Sequence, residues 1–237
     1  MRCFNGSILA FALLTGAAQA GEADISLTSP APLAKDVAAF PKLDAHDATA
    51  DKINAALVRL DDRVRKARAD CVTSKDAEWS RSIDVTMRGP RYLSYLVSDS
   101  LYCGGPHPDS SSFALVYDLT TGAPVDWAKL LPKPLVDSAS LDSSADGARI
   151  GVVGSKTLSA LYVAGLGKDL DADCKEALTS ADLNFILWPD AKTKGLAMQT
   201  ISLPHAMQAC ADVVAIPTTK LRELRADKSL IDALEAK

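Results

Sequence analysis

The sequence predicts an α+β fold in which an antiparallel meander packs on one long amphipathic helix, with a smaller second half of helices and a hairpin. Two observations predict it. Apolar residues recur at steps of three and four through residues 48–71, and three segments between 83 and 119 alternate apolar and polar residues. The first spacing places side chains on one face of a helix, and the second places them on one face of a strand. Consecutive strand patterns after a single helix favour an antiparallel meander packed on it.

The long helix is predicted from a single apolar stripe. That stripe comprises Ile53, Leu57, Leu60, Val64, Ala67 and Cys71. The opposite side carries Asp61, Asp62, Arg63, Arg65 and Lys66. The adjacent carboxylates of Asp61 and Asp62 are therefore predicted to be solvated rather than catalytic. Because Cys71 extends the apolar stripe, a disulfide there would fix the end of the helix to the sheet.

The strand patterns cover residues 83–87, 93–97 and 113–119, and turn chemistry follows at Asp118-Leu-Thr-Thr-Gly122. Residues 132–147, rich in Pro, Ser, Asp and Gly, are predicted to be a linker, at which a single domain spanning 21–237 would divide into subdomains. The remaining predicted elements are two helices around 158–165 and 174–178, a hairpin at 185–188 and 196–201, a short helix from 204 to 210, a strand at 213–216 and helices at 219–225 and 228–235.

The first twenty residues have the pattern of a secretory signal peptide. Arg2 gives a positive start, residues 8–14 are apolar, and Ala18-Gln19-Ala20 matches the small-x-small cleavage pattern. We therefore predict cleavage near Ala20 and a periplasmic or secreted protein beginning at Gly21. No later window reaches the roughly 18 apolar residues of a transmembrane helix, so no transmembrane anchor is predicted.

Charge and motifs exclude several classes of partner. The formal net charge is −4, and the basic residues form no stripe, so no nucleic-acid partner is predicted. No phosphate-binding loop, dinucleotide fingerprint or calcium-loop spacing is present, so no cofactor is predicted. His46, His107 and His205 lack ligand spacing with one another, and no metal site is predicted.

The cysteines predict two disulfides. Cys3 belongs to the signal segment, which leaves Cys71, Cys103, Cys174 and Cys210. An even number of cysteines in an exported chain indicates disulfides, although four cysteines allow three pairings. We favour Cys71–Cys103 and Cys174–Cys210, because each bond then closes within one half of the chain. The alternative, a zinc site, lacks the usual CxxC spacing.

The loop between the second and third predicted strands is the candidate binding site. It consists of Gly104, Gly105, Pro106, His107, Pro108 and Asp109. Glycine permits positive φ and proline fixes φ, so these residues specify an unusual backbone path. The flanking prolines hold the backbone of His107 extended. Its ring could stabilise the corner, contact a ligand or act as a general base; the run Ser110-Ser111-Ser112 nearby is ordinary turn composition.

Several motifs in order resemble one known family. They are Phe40-Pro41-Lys42-Leu43, Lys52-Ile53-Asn54, residues 92–97, Gly104-Gly105-Pro106-His107-Pro108, Tyr117-Asp118-Leu119-Thr120-Thr121-Gly122, residues 127–131, residues 185–188, Gly195-Leu196 and residues 216–221. This series resembles the extracytoplasmic domain of RsiV-type anti-sigma factors, which also accompanies the deacetylase domain of PdaC-type peptidoglycan enzymes. The resemblance covers roughly residues 30–225, and its sharpest part is the Gly-Gly-x-His-Pro loop. Pro106 stands where a small residue such as alanine is expected.

The resemblance implies an α+β domain without catalytic machinery that binds lysozyme. This sequence shows no pattern for a sigma-binding segment or a deacetylase domain, so signal transduction and deacetylation are not implied. The leading hypothesis is therefore a non-catalytic envelope protein whose partner is a lysozyme-like hydrolase or a peptidoglycan fragment. The rival hypothesis is an envelope hydrolase or deacetylase that uses His107.

Overall fold

The computed structural model describes residues 25–143, 148–167 and 170–236. The predicted signal segment lies outside these residues. The strands are β1 (Leu27–Thr28), β2 (Lys42–Leu43), β3 (Glu78–Arg88), β4 (Tyr92–Tyr102), β5 (Asp109–Asp118), β6 (Ala123–Pro124), β7 (Ser138–Ser143), β8 (Arg149–Gly154), β9 (Asn184–Asp190), β10 (Gly195–Thr200) and β11 (Val214–Pro217). The α-helices are α1 (Ala48–Cys71), α2 (Trp127–Leu130), α3 (Lys156–Gly165), α4 (Ala172–Ser180), α5 (Thr218–Glu223) and α6 (Lys228–Glu235), and 3-10 helices span Lys133–Leu135 and His205–Cys210.

The fold is α+β, and its two larger sheets are antiparallel. One sheet has the order β3-β4-β5-β6, so the predicted meander is confirmed. The other has the order β11-β10-β9-β8-β7, with the predicted hairpin β9–β10 at its centre. A two-stranded ribbon of β1 and β2 completes the pairing. Among the described residues, no helix is both long enough and apolar enough to cross a bilayer.

Alternate residues of the meander enter two different apolar clusters. Leu93 and Tyr95 of β4 pack in a cluster with α1 residues such as Ile53 and Leu57. Tyr92 of β4, by contrast, belongs to a cluster built from the second sheet and from α3 to α6. The period of two along a strand sends successive side chains to opposite faces. The meander therefore lies between α1 on one face and the five-stranded sheet on the other.

Helix α1 has the bounds that the apolar stripe predicts, and Asp47 caps it by accepting from the amides of Thr49 and Ala50 at 2.8 and 2.9 Å. The prediction that Asp61 is solvated is wrong, whereas Asp62 is exposed as predicted. The carboxylate of Asp61 accepts from the Phe40 amide at 3.1 Å and from Lys42 Nζ at 3.0 Å. The chain before β2 thus covers this position of the helix, which helical spacing alone does not reveal.

The segment predicted as a linker is largely structured. Leu135 is fully buried in the 3-10 turn, and residues 138–143 form β7, which pairs with β8 along its whole length. Residues 144–147 of that segment lie outside the described residues. A polar edge strand escapes detection because strand propensity depends strongly on pairing context. The later predicted helices, the 204–210 helix and the strand near 213–216 all have counterparts in the structure.

The turn after β5 is built around the carboxylate of Asp118. Its Oδ1 accepts from the amide and hydroxyl of Thr120, and Oδ2 accepts from Arg91 Nη2 at 2.9 Å. Gly122 closes the turn with φ of +63°, and its amide donates to the Asp118 carbonyl. Burial favours the neutral acid, but the hydrogen bonds from Thr120 and Arg91 outweigh it and lower the pKa of Asp118 below its ordinary value.

This lowered pKa predicts an acid-dependent contribution to stability. A carboxyl whose pKa is lower in the folded chain stabilises the fold above its unfolded pKa of about 3.9, and this stabilisation is lost as pH falls through the folded value. We expect Asp118→Asn to be less stable than the wild type near neutral pH, with the difference shrinking below about pH 4. Urea unfolding at a series of pH values measures this. Stability curves that stay parallel down to the acid limit would contradict it.

Candidate functional site

The Gly104–Asp109 loop joins β4 to β5 at one end of the meander and is exposed throughout. Gly104 has φ of +86°, a left-handed conformation that favours glycine. No described heavy atom beyond the chain neighbours lies within 4 Å of the position that a Cβ would take on Gly104 or Gly105. The loop therefore projects from the body of the protein.

One disulfide holds the start of this loop. Cys103 is bonded to Cys71 at the last turn of α1, with a Cα–Cα distance of 4.8 Å. The loop and the helix end are thus covalently joined, as favoured from the sequence. The second disulfide joins Cys174 of α4 to Cys210, so the structure has the favoured pairing at both sites. Two disulfides are typical of proteins that fold in an oxidising compartment.

The end of the loop meets the 3-10 helix His205–Cys210. Ser110 Oγ donates to Gln208 Oε1 at 2.7 Å, and His205 Nδ1 lies 3.8 Å from Asp109 Oδ1. Because Cys210 closes this helix, the second disulfide supports the element on which the loop end rests. The loop is therefore held at both ends while its middle stays exposed.

The structure does not bring the three histidines together in one site. His46 is exposed just before α1, whereas His107 is exposed within the loop. In the described part of the chain, the His107 ring makes no hydrogen bond or ion pair. The hydroxyls of Ser110 and Ser112 bond to Gln208 and Ser98 instead. No nucleophile or orienting acid is therefore positioned on His107 by the described residues.

A second feature beside the loop is absent from the sequence-based predictions. Two rows of serines cross the three long strands on the face that looks toward the second sheet. In one row Ser80, Ser100 and Ser110 are direct partners, and in the other Ser82, Ser98 and Ser112 are direct partners. Only the strand register creates this array, since the three strands contribute their serines from separate parts of the chain.

The serine array forms one wall of a cleft with a volume of about 740 Å³. The segment 199–211 forms the other wall. We call this space the serine cleft. Its lining residues are Asp36, Ser80, Arg81, Ser82, Ser98, Asp99, Ser100, Ser110, Ser111, Ser112, Gln199, Thr200, Ile201, Leu203, Gln208 and Ala211.

A buried ion pair joins the neighbouring strands β3 and β4, on the face of the meander opposite the serine array. Arg81 Nε and Nη2 donate to the two carboxylate oxygens of Asp99 at 2.8 and 2.7 Å, and Trp79 Nε1 donates to the same carboxylate at 2.8 Å. The side chains of Arg81 and Asp99 are 1% and 5% exposed. This bidentate pair fixes the register of β3 against β4 from the α1 face of the meander.

Comparison with known proteins adds little. No family model matches this sequence, and no curated protein matches it. Two similar solved structures are both described as DUF3298 family proteins. The one from Bacteroides fragilis NCTC 9343 has 15% identity, a TM-score of 0.44, and coverage of 82% of this chain and 76% of that chain. The one from Pseudomonas aeruginosa PAO1 has 13% identity, a TM-score of 0.43, and coverage of 70% of each chain.

TM-scores this low establish neither the fold nor the function of this chain. The resemblance to the RsiV-type domain thus stays a prediction, as does the binding role of the Gly104–Asp109 loop. What the structure itself defines is a disulfide-bonded α+β protein with an exposed, braced loop beside a hydroxyl-lined cleft.

Proposed function

We propose that this protein is a non-catalytic binding module, periplasmic or secreted, whose Gly104–Asp109 loop recognises a lysozyme-like hydrolase. The observation that carries the proposal is the combination of full exposure in the loop with anchors on both sides of it. A loop held in place before binding loses less conformational entropy when a partner is bound. Exposed loops on a rigid scaffold commonly carry binding function.

Charge supports a basic partner. The formal net charge of the chain is −4. At the loop end, the side chain of Asp109 is 67% exposed. Complementary charge accelerates association with a basic protein, as lysozymes typically are, and the acceleration weakens as salt screens it.

The surroundings of His107 favour binding over catalysis. A general base acts through a proton that it can reach, and an activated nucleophile needs a base oriented by a third group. The described residues supply no such partner to His107. An exposed imidazole with unused donor and acceptor capacity can instead contact a partner directly.

The test is binding of the chain from Gly21 onwards to purified hen-type, goose-type and bacterial lysozymes, measured by biolayer interferometry and by a cell-wall turbidity assay. We expect one of these classes to bind and to be inhibited. His107→Ala should weaken that binding by about 2 kcal/mol without abolishing it, as expected for a contact residue in an interface. His46→Ala is the matched control, because α1 at about 1.5 Å per residue separates His46 from the loop by roughly 35 Å.

Two results would overturn the proposal. Absence of binding to all three classes would remove the lysozyme-like partner. Hydrolysis or deacetylation of peptidoglycan by the purified chain, lost by orders of magnitude in His107→Ala, would instead establish the rival enzyme.

A further inference from the structure

We propose that the serine cleft binds a neutral oligosaccharide. The cleft is a different surface from the Gly104–Asp109 loop. The inference therefore stands whether or not the loop binds a protein. It rests on three features of the lining: an ordered hydroxyl array, a described lining whose one cation points away from the serines, and an amide-and-apolar opposite wall.

The hydroxyl array suits a polyhydroxylated ligand. Direct cross-strand partners have Cβ atoms about 5 Å apart, and alternate residues along a strand are about 7 Å apart, so the six serines form a regular grid. Each serine hydroxyl can both donate and accept. Sugar hydroxyls have the same dual capacity. Ser98 and Ser112 already form such a pair, with their Oγ atoms 3.2 Å apart.

The charges of the cleft favour a neutral ligand over an anion. Arg81 is the one cation among the described lining residues, and its side chain points to the α1 face of the meander, away from the serine array. There Asp99 engages it through two hydrogen bonds. Asp36 adds an exposed carboxylate at the rim. A site for phosphate or carboxylate groups would need cationic donors facing the ligand.

The opposite wall supplies the remaining chemistry of a sugar site. Gln199 Nε2 donates to the Ala211 carbonyl at 2.6 Å, and its buried Oε1 has no hydrogen-bond partner in the described chain. A buried acceptor without a partner is unfavourable, and a ligand hydroxyl reaching it would remove that penalty. Ile201 and Leu203 offer apolar surface for the C–H faces of a sugar ring. A volume of about 740 Å³ is in the range of small-ligand sites.

Side-chain amide signals provide a direct test. In the chain from Gly21 onwards the only glutamines are Gln199 and Gln208, which both line the cleft, and the only asparagines are Asn54 and Asn184, which do not line it. The ¹⁵N-labelled protein is titrated with chitotetraose, cellotetraose and maltotetraose, and separately with inorganic phosphate. We expect at least one tetrasaccharide to shift both glutamine amides at millimolar concentration, with Asn54 unchanged and with little dependence on salt.

A bulky substitution inside the serine cleft then tests whether the tetrasaccharide binds there. Ser100→Phe places an aromatic ring at the centre of one serine row, at an exposed strand position, and aromatic residues are favourable in strands. We expect affinity for the active tetrasaccharide to fall at least tenfold. Ser74→Phe, in the exposed turn before β3, should leave it unchanged. Ser82→Phe in the neighbouring row replaces Ser100→Phe if that variant does not fold, as judged by circular dichroism.

The proposal fails under any of three outcomes. The first is that no tetrasaccharide shifts the glutamine amides. The second is that phosphate shifts them and the tetrasaccharides do not. The third is that folded Ser100→Phe, or Ser82→Phe in its place, binds as tightly as the wild type. None of these outcomes bears on lysozyme binding by the loop, so the two proposals are tested separately.

Discussion

Replacing Asp99 with alanine is expected to destabilise the protein by about 3–5 kcal/mol, because the substitution leaves the Arg81 guanidinium buried without its carboxylate. Both side chains are almost fully buried, and the guanidinium also lies 5.8 Å from the centre of the Phe113 ring. The same carboxylate holds Trp79 Nε1. Urea unfolding at neutral pH measures the loss.

A matched control separates the effect of burial on stability from the effect of removing a paired carboxylate. Asp62 pairs with Arg65 at 2.6 Å on the exposed side of α1, and Asp62→Ala should cost less than about 1 kcal/mol. Replacing both members of the buried pair by apolar residues, as in Arg81→Met with Asp99→Leu, should recover much of the loss, because no uncompensated charge remains. An Asp99→Ala variant as stable as Asp62→Ala would show that the buried pair does not fix the strand register.

Removal of the Cys71–Cys103 bond is the second change with a large expected effect. The bond closes a loop with a sequence separation of 32 residues, for which chain entropy predicts a loss of about 3–4 kcal/mol in the double serine variant. The same variant frees the start of the Gly104–Asp109 loop from α1. We therefore expect lysozyme binding to weaken more than the fraction of folded protein accounts for.

The other disulfide is the control for this prediction. Cys174–Cys210 has a sequence separation of 36 residues, so its removal should cost about the same stability. It supports the loop only through the 3-10 helix that carries Gln208. Binding should thus fall further in the Cys71/Cys103 variant than in the Cys174/Cys210 variant. Equal losses of binding in the two variants would indicate that the helix anchor has no specific role.

Local sequence patterns predict most of the helices and strands. The predictions that are wrong concern residues whose environment is set by segments distant in the sequence. The apolar stripe ending at Cys71 gave the bounds of α1, and the alternation near residues 185–188 and 196–201 identified the β9–β10 hairpin. The prediction that Asp61 is exposed to solvent is wrong, because the distant segment around Phe40 covers it. Helical spacing shows which residues lie on the same face of a helix, but it does not show which other segment packs against that face.

The serine cleft shows the same limit at the level of function. Ser110, Ser111 and Ser112 looked like turn composition within their own segment. Their significance comes from the pairing of Ser110 with Ser100 and of Ser112 with Ser98. A register shift of one residue would send these hydroxyls to the other face of the sheet. A site made by register is therefore visible only once the strands are paired.

Hydrogen–deuterium exchange on the complex with a lysozyme is the most direct test of the central claim that the exposed loop is the surface that meets the partner. We expect slower exchange at the backbone amides of residues 103–110 when the partner is bound. The exchange rates on the exposed side of α1 around Asp62 should not change. Protection confined to α1 or to the second sheet, with the loop amides unchanged, would contradict the claim.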